Sequence, residues 1–130
     1  MVLTGCVVPG KRLGRTLGFP TANILPDDPN VSAQLPENGV YFGKITLEDG
    51  TVYPCVLNQG RHPTVPEGPP TIEAHLLDYR GDLYGAHVTL AYGQQLRPER
   101  RFENVEALRE QIARDVRRAR KLLGRKEEKG

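Results

Sequence analysis

No apolar run in these 130 residues approaches the roughly 20 that a membrane span requires, and the N-terminus carries neither a basic region nor an apolar signal segment. A soluble, cytoplasmic protein without membrane partners is expected. Charge of one sign is scarce as well. Eighteen basic against sixteen acidic residues leave a net charge of only +2, which excludes a polyanion-binding surface over the whole molecule and makes any basic site local. Cysteine is down to two. Cys6 and Cys55 sit among β-branched and apolar neighbours without the paired spacing of a metal knuckle, so both read as reduced core residues. No internal repeat is present.

What the chain holds in quantity is glycine and proline, 14 and 11 residues, beside 38% hydrophobic and 26% charged residues. That mixture suits a turn-rich β fold better than a helical bundle, and the length suits a single core. Apolar runs of strand length recur between turn signals at Gly5–Val8, Val40–Leu47, Val52–Leu57, Ile72–Leu77 and His87–Tyr92. Glu48-Asp49-Gly50 and Arg80-Gly81-Asp82 are compact polar connections of the kind hairpins use, so a largely antiparallel barrel is expected. Two segments dense in Gly and Pro, Pro9–Pro36 and Asn58–Pro70, break the rhythm and read as long, functional loops. From Asn104 the spacing changes to threes and fours: Val105, Leu108, Ile112, Val116, Ala119, Leu122 and Leu123 predict one amphipathic helix, capped by Asn104, stopped by Gly124 and closing the barrel. The domain is therefore expected over residues 1–124, with 125–130 a charged, frayed tail.

Four constellations could carry chemistry. Gly10–Thr16 superficially resembles a phosphate-binding P-loop but is one residue short, has Arg15 in place of Lys, and runs into Gly18 and Pro20 where a helix would have to start. It is either an ordinary Gly-rich connection or a phosphate-facing loop whose backbone N–H groups are helped by Lys11, Arg12 and Arg15. Thr21 and Asn23 follow Pro20 as alternate residues, so an extended chain turns both side chains to one side. They either bond to the loop backbone or offer neutral oxygens to Mg²⁺ that draws its negative charge from a nucleotide. Glu73 alternates with Ile72 and Ala74 and so faces away from the core with His75 and Leu77, as a solvated residue or as a base for a hydroxyl nucleophile. His75 itself reads as structural. Leu96–Phe102 concentrates three arginines beside an aromatic, in a ligand contact or a charged connection. The helix arginines alternate with Glu106, Glu110 and Asp115 and lack aromatic stacking partners, so a solvated face without nucleic acid is expected of them.

In order along the chain, four blocks resemble the riboflavin kinase domain found as the C-terminal half of bacterial FAD synthetases and as a separate eukaryotic enzyme. They are Gly5-x-Val7-Val8-x-Gly10-x-x-x-Gly14-Arg15-x-Leu17-Gly18-Phe19-Pro20-Thr21-Ala22-Asn23; Gly39-Val40-Tyr41; Ile72-Glu73-Ala74-His75-Leu76-Leu77-Asp78-Tyr79 with Gly81-Asp82-Leu83-Tyr84-Gly85; and Leu96-Arg97-Pro98-Glu99-x-x-Phe102. The resemblance implies an all-β fold, a six-stranded antiparallel Greek-key barrel with a C-terminal α-helix packed on it. It implies transfer of the ATP γ-phosphate to the ribityl 5′-hydroxyl of riboflavin, giving FMN and ADP. Carried over by position, Thr21 and Asn23 would hold Mg²⁺ and the nucleotide phosphates, and Gly10, Gly14, Arg15, Gly18 and Pro20 would shape the loop over them. Glu73 would be the base, and Arg97 would face the flavin side. Gln59 departs from the apolar residue expected at its position, which puts the local strand packing in question. No adenylyltransferase half accompanies the matching blocks, so the reaction is expected to stop at FMN, with such a domain a possible partner in a full-length protein.

Overall fold

Short apolar runs between turn signals dominate this sequence and fold into strands that share a common core. The structure, a computed structural model, describes residues 1–8, 21–28, 30–61, 70–77, 83, 85–99 and 103–129. In chain order its elements are β1 (Val2–Val8), β2 (Thr21–Pro26), a short 3₁₀ turn (Val31–Ala33), β3 (Gly39–Thr46), β4 (Val52–Gly60), β5 (Thr71–Leu76), β6 (His87–Pro98) and the helix α1 (Val105–Lys129).

The strands form a closed barrel in the order β1-β2-β5-β4-β3-β6, and β6 pairs back onto β1. Every pairing is antiparallel. β3, β4 and β5 are consecutive neighbours while β6 returns to lie beside β3, which is the Greek-key arrangement. Leu3, Val7, Ile24, Ile45, Leu57, Ile72 and Leu90 fill the interior. A second core lies outside the wall, where Val40, Phe42, Val56, Leu77 and Leu96 meet Ile112, Val116 and Ala119 of α1. Strands β3 and β4 therefore bury apolar residues on both faces and read as near-continuous apolar runs. Each such side chain contributes about 1.5–3 kcal/mol on leaving water.

Two glycines are needed where they stand. Gly50 takes a φ of 88° in the β3–β4 turn, where Asp49 Oδ1 accepts from the Thr51 backbone N–H at 2.9 Å. At Gly43 a Cβ would meet Leu57 Cδ1 at 2.7 Å and the Ala91 carbonyl oxygen at 2.8 Å, so β3 can approach β6 only without a side chain there. The β3–β6 register shifts on both sides of Tyr41, an irregularity that bends the wall beside this contact.

Several expectations are corrected. The helix does not close the barrel; β1 and β6 do, and α1 packs outside. Asn104 caps it as expected, its Oδ1 accepting from the Ala107 N–H at 2.8 Å. Gly124 does not stop it. Glycine inside a helix costs only about 1 kcal/mol relative to alanine, and the Arg, Lys and Glu residues that follow favour helix, so α1 runs on to Lys129. The segment read as one loop before Pro36 contains β2, whose few apolar residues between Pro20 and Pro26 give a weak periodic signal. Asn58–Gly60 continue β4, and Leu96–Pro98 continue β6. Arg80–Asp82 lie outside the described residues, and β5 and β6, the strands on either side of them in sequence, are not neighbours in the barrel. Cys55 is buried as expected and burial pushes its thiol up to about 12, whereas Cys6 is only half-buried.

Candidate active site

Ala22 and Ile24 of β2 and Ile72 and Ala74 of β5 all point into the barrel, which leaves Asn23 and Glu73 on its outer wall. The register then sets them directly opposite each other, with Cβ atoms about 4.5–5.5 Å apart, as is usual for such pairs. On the other flank of Glu73 the register places Asn58 of β4. Glu73 is thus the central member of a polar row running Asn23, Glu73, Asn58 across three strands, and its side chain keeps 28% of its exposure. Beyond Asn58 the same row continues through Val40 to Arg97.

His75 stands two residues from Glu73 on the same face, and its Nε2 lies 3.5 Å from Glu73 Oε1. Unlike Glu73 it is buried, because the outer wall here is already covered by the helix layer; Leu77, the next outward residue, belongs to that second core. Burial pushes the imidazole from its ordinary 6.5 down to about 4, against a smaller opposing pull from the Asp115 carboxylate, and so holds it neutral near pH 7. Asp115 is buried too. Arg97 grips it with Nε at 3.0 and 3.2 Å from the two carboxylate oxygens and Nη2 at 2.9 Å from Oδ2, while Gln111 Nε2 donates at 3.0 Å. This bidentate contact ties β6 to α1.

Thr21 opens β2 and pairs in register with His75, one row from Asn23 and Glu73. Among the described residues no group of three or more His, Cys, Asp and Glu could hold a metal ion. Asn23 offers a hard, neutral oxygen on the outer wall, a donor of the kind that suits a Mg²⁺ ion taking most of its remaining ligands from water and phosphate. Gly10, Gly14, Arg15, Gly18 and Pro20 lie outside the described residues, as do residues 100–102 of the arginine-rich connection. Arg97 is described, and its guanidinium is engaged with Asp115.

Residues 1–123 match the family described as flavokinase, riboflavin kinase. The chain belongs to the riboflavin kinase family. It is 42% identical over 121 residues to the bifunctional riboflavin kinase/FMN adenylyltransferase of Pseudomonas fluorescens, an overlap of 92% of this chain and 37% of that relative. Among solved structures it resembles riboflavin kinase from Trypanosoma brucei, with a TM-score of 0.67, 29% identity, and 95% and 79% of the two chains covered. It also resembles a Streptococcus pneumoniae protein described as a macrolide-efflux protein, with a TM-score of 0.79 and 28% identity over 92% of this chain and 38% of that one. The chain therefore spans well under half the length of the bifunctional relative it matches.

Two residues around this wall differ from the sequence-based expectation. Asn58, expected in a loop, lies in β4, and its position beside Glu73 emerges only from the β4–β5 register. Asp115, expected on a solvated helix face, is buried, and the signal for this is its place between Ile112 and Val116 on the apolar stripe.

Proposed function

We propose that this chain is an ATP:riboflavin 5′-phosphotransferase, transferring the γ-phosphoryl group of ATP to the ribityl 5′-hydroxyl and releasing FMN and ADP. The observation that carries this reading is the partly exposed Glu73 carboxylate set directly between two carboxamides, Asn23 and Asn58, on an outer strand face. A carboxylate in that setting can accept the hydroxyl proton as the new P–O bond forms and the bond to ADP breaks. Phosphoryl transfer asks mainly for positioning and charge stabilisation, so Glu73 chiefly orients the hydroxyl and takes its proton late.

Thr21 and Asn23 would hold Mg²⁺, which when bound neutralises charge on the phosphates. Gly10, Gly14, Arg15, Gly18 and Pro20 would enclose those phosphates, as small residues and one cation can. Arg97, held by Asp115, would border the flavin side. In a longer protein an adenylyltransferase domain would be the natural neighbour, given the bifunctional relative.

Incubation with riboflavin, ATP and Mg²⁺, followed by chromatographic separation of the flavins, tests the activity. FMN and ADP should accumulate in equal amounts. A barrel that kept the fold without turnover would bind riboflavin and yield no FMN, and that outcome would sink the reading.

A further inference from the structure

We infer that His75 is a positioning residue for the proposed phosphotransfer: its imidazole holds the Glu73 carboxylate in the orientation that meets the acceptor hydroxyl. The inference rests on the assignment of Glu73 as base. It begins from a core position that a hydrocarbon could fill. His75 has the helix layer over it and Leu77 and Val56 of that layer as strand neighbours, and burying an imidazole there loses hydration that an aliphatic side chain never had.

The polar end of the ring is directed at Glu73, with Nε2 and Oε1 at 3.5 Å. That is long for a hydrogen bond, and such contacts commonly tighten when substrate completes the site. A proton on Nε2 makes the ring a donor to the carboxylate, whose remaining lone pairs stay available for the proton of the hydroxyl. Misplacement of a reacting group by about 1 Å can lower a rate about a hundredfold, so partial loss of orientation should be readily visible.

The helix has a part in this arrangement. The field of Asp115 acts on the His75 ring, and Asp115 is itself fixed by the two-pronged Arg97 contact and by Gln111. Base, imidazole, carboxylate and guanidinium thus lie in sequence from the open face of β5 to the β6–α1 junction.

The test compares His75→Leu, and His75→Phe should the first variant unfold, with His75→Gln, which restores a neutral donor. Each is made in the wild-type and the Glu73→Gln background. For His75→Leu we expect kcat to fall about tenfold, KM for ATP and for riboflavin to stay within about twofold, and the thermal midpoint to be kept. His75→Gln should recover part of the rate. In the Glu73→Gln background the same change should have little further effect, because the group it positions is gone. An unchanged kcat in a folded apolar variant would overturn the inference, and so would an equal loss in both backgrounds. Wild-type turnover by Glu73→Gln alone would instead remove the base assignment, a result distinct from either.

Discussion

Asn23 and Glu73 face each other directly across the β2–β5 pair, and the residues that put them there are not polar. Ala22, Ile24, Ile72 and Ala74, the neighbours of these two in sequence, are all buried in the barrel interior. Since strand side chains alternate with a period of two, slipping either strand by one residue would expose this apolar set and bury the carboxylate. The register of the site is therefore enforced by the core, and the carboxylate and carboxamides need contribute little to stability. Substitutions in the row can accordingly be read mainly through activity.

Glu73→Gln keeps the shape and removes the proton acceptor. Turnover should fall by about 10²–10³, within the range expected of a general base, while KM for ATP changes by less than about threefold. Steady-state kinetics of FMN formation measure both. Parallel loss of ATP affinity would reassign Glu73 to nucleotide binding.

For Asn23→Ala the expected change is in the metal dependence. Removing one neutral oxygen ligand should raise the Mg²⁺ concentration needed for half-maximal rate by about tenfold, with much of the rate recovered at saturating Mg²⁺. A Mg²⁺ titration at fixed ATP measures this, and an unshifted midpoint would count against the ligand role.

The parts of this fold that were legible in the sequence are those in which one pattern runs undisturbed. Val40–Leu47 is a near-continuous apolar run, Ile72–Leu77 alternates, Val105–Leu122 repeats in threes and fours, and strands and a capped helix lie there in the structure. β2 was missed because between Pro20 and Pro26 too few apolar residues alternate to register. The end of β4 was missed because its inward residue is Gln59, a polar side chain in a core position. Glu73 could be singled out by its outward phase, but Asn58 became its neighbour only through long-range pairing, which composition and local spacing do not encode. Arg97 and Asp115 illustrate the same limit, since two charges far apart in sequence neutralise each other at a strand–helix junction.

Gln59 resolves its departure from the expected apolar residue by full use of its amide. Nε2 donates to the Pro36 carbonyl at 2.8 Å and to Asn38 Oδ1 at 3.1 Å, and Oε1 accepts from the Tyr92 hydroxyl at 2.9 Å. Gln59→Leu should therefore destabilise the barrel by about 1–3 kcal/mol despite being the more hydrophobic choice, because it strands buried partners. Adding Tyr92→Phe should return part of that loss, since the hydroxyl is removed with its acceptor. Urea midpoints of the single and double variants measure both effects.

At the junction of β6 and α1, Arg97→Ala would leave the Asp115 carboxylate buried with only Gln111 as a described side-chain donor. Destabilisation of about 3 kcal/mol or more is expected. Arg97→Lys should recover little, because a single ammonium cannot reproduce the two-pronged contact. Replacing both residues with apolar ones, Arg97→Met with Asp115→Leu, should restore most of the stability. Denaturant unfolding of the three variants distinguishes a buried charge from simple loss of packing.

Acid stability should report on His75. Its folded-state value near 4 lies below the ordinary 6.5, so between these values the unfolded chain binds a proton that the folded chain refuses. Stability is then fully present above about pH 6.5 and declines as pH falls through that window, levelling out below about pH 4, with a total change on the order of 1–3 kcal/mol. Asp27 acts at lower pH, since its hydrogen bond with His87 holds its carboxyl below the ordinary 3.8 and its contribution is lost only under that value. His75→Leu should flatten the profile between about pH 6.5 and 4 and leave the contribution of Asp27 below it in place. Urea midpoints for the wild type and this variant across that range measure the difference, and identical slopes would show that the buried imidazole is not what loses stability as the solution is acidified.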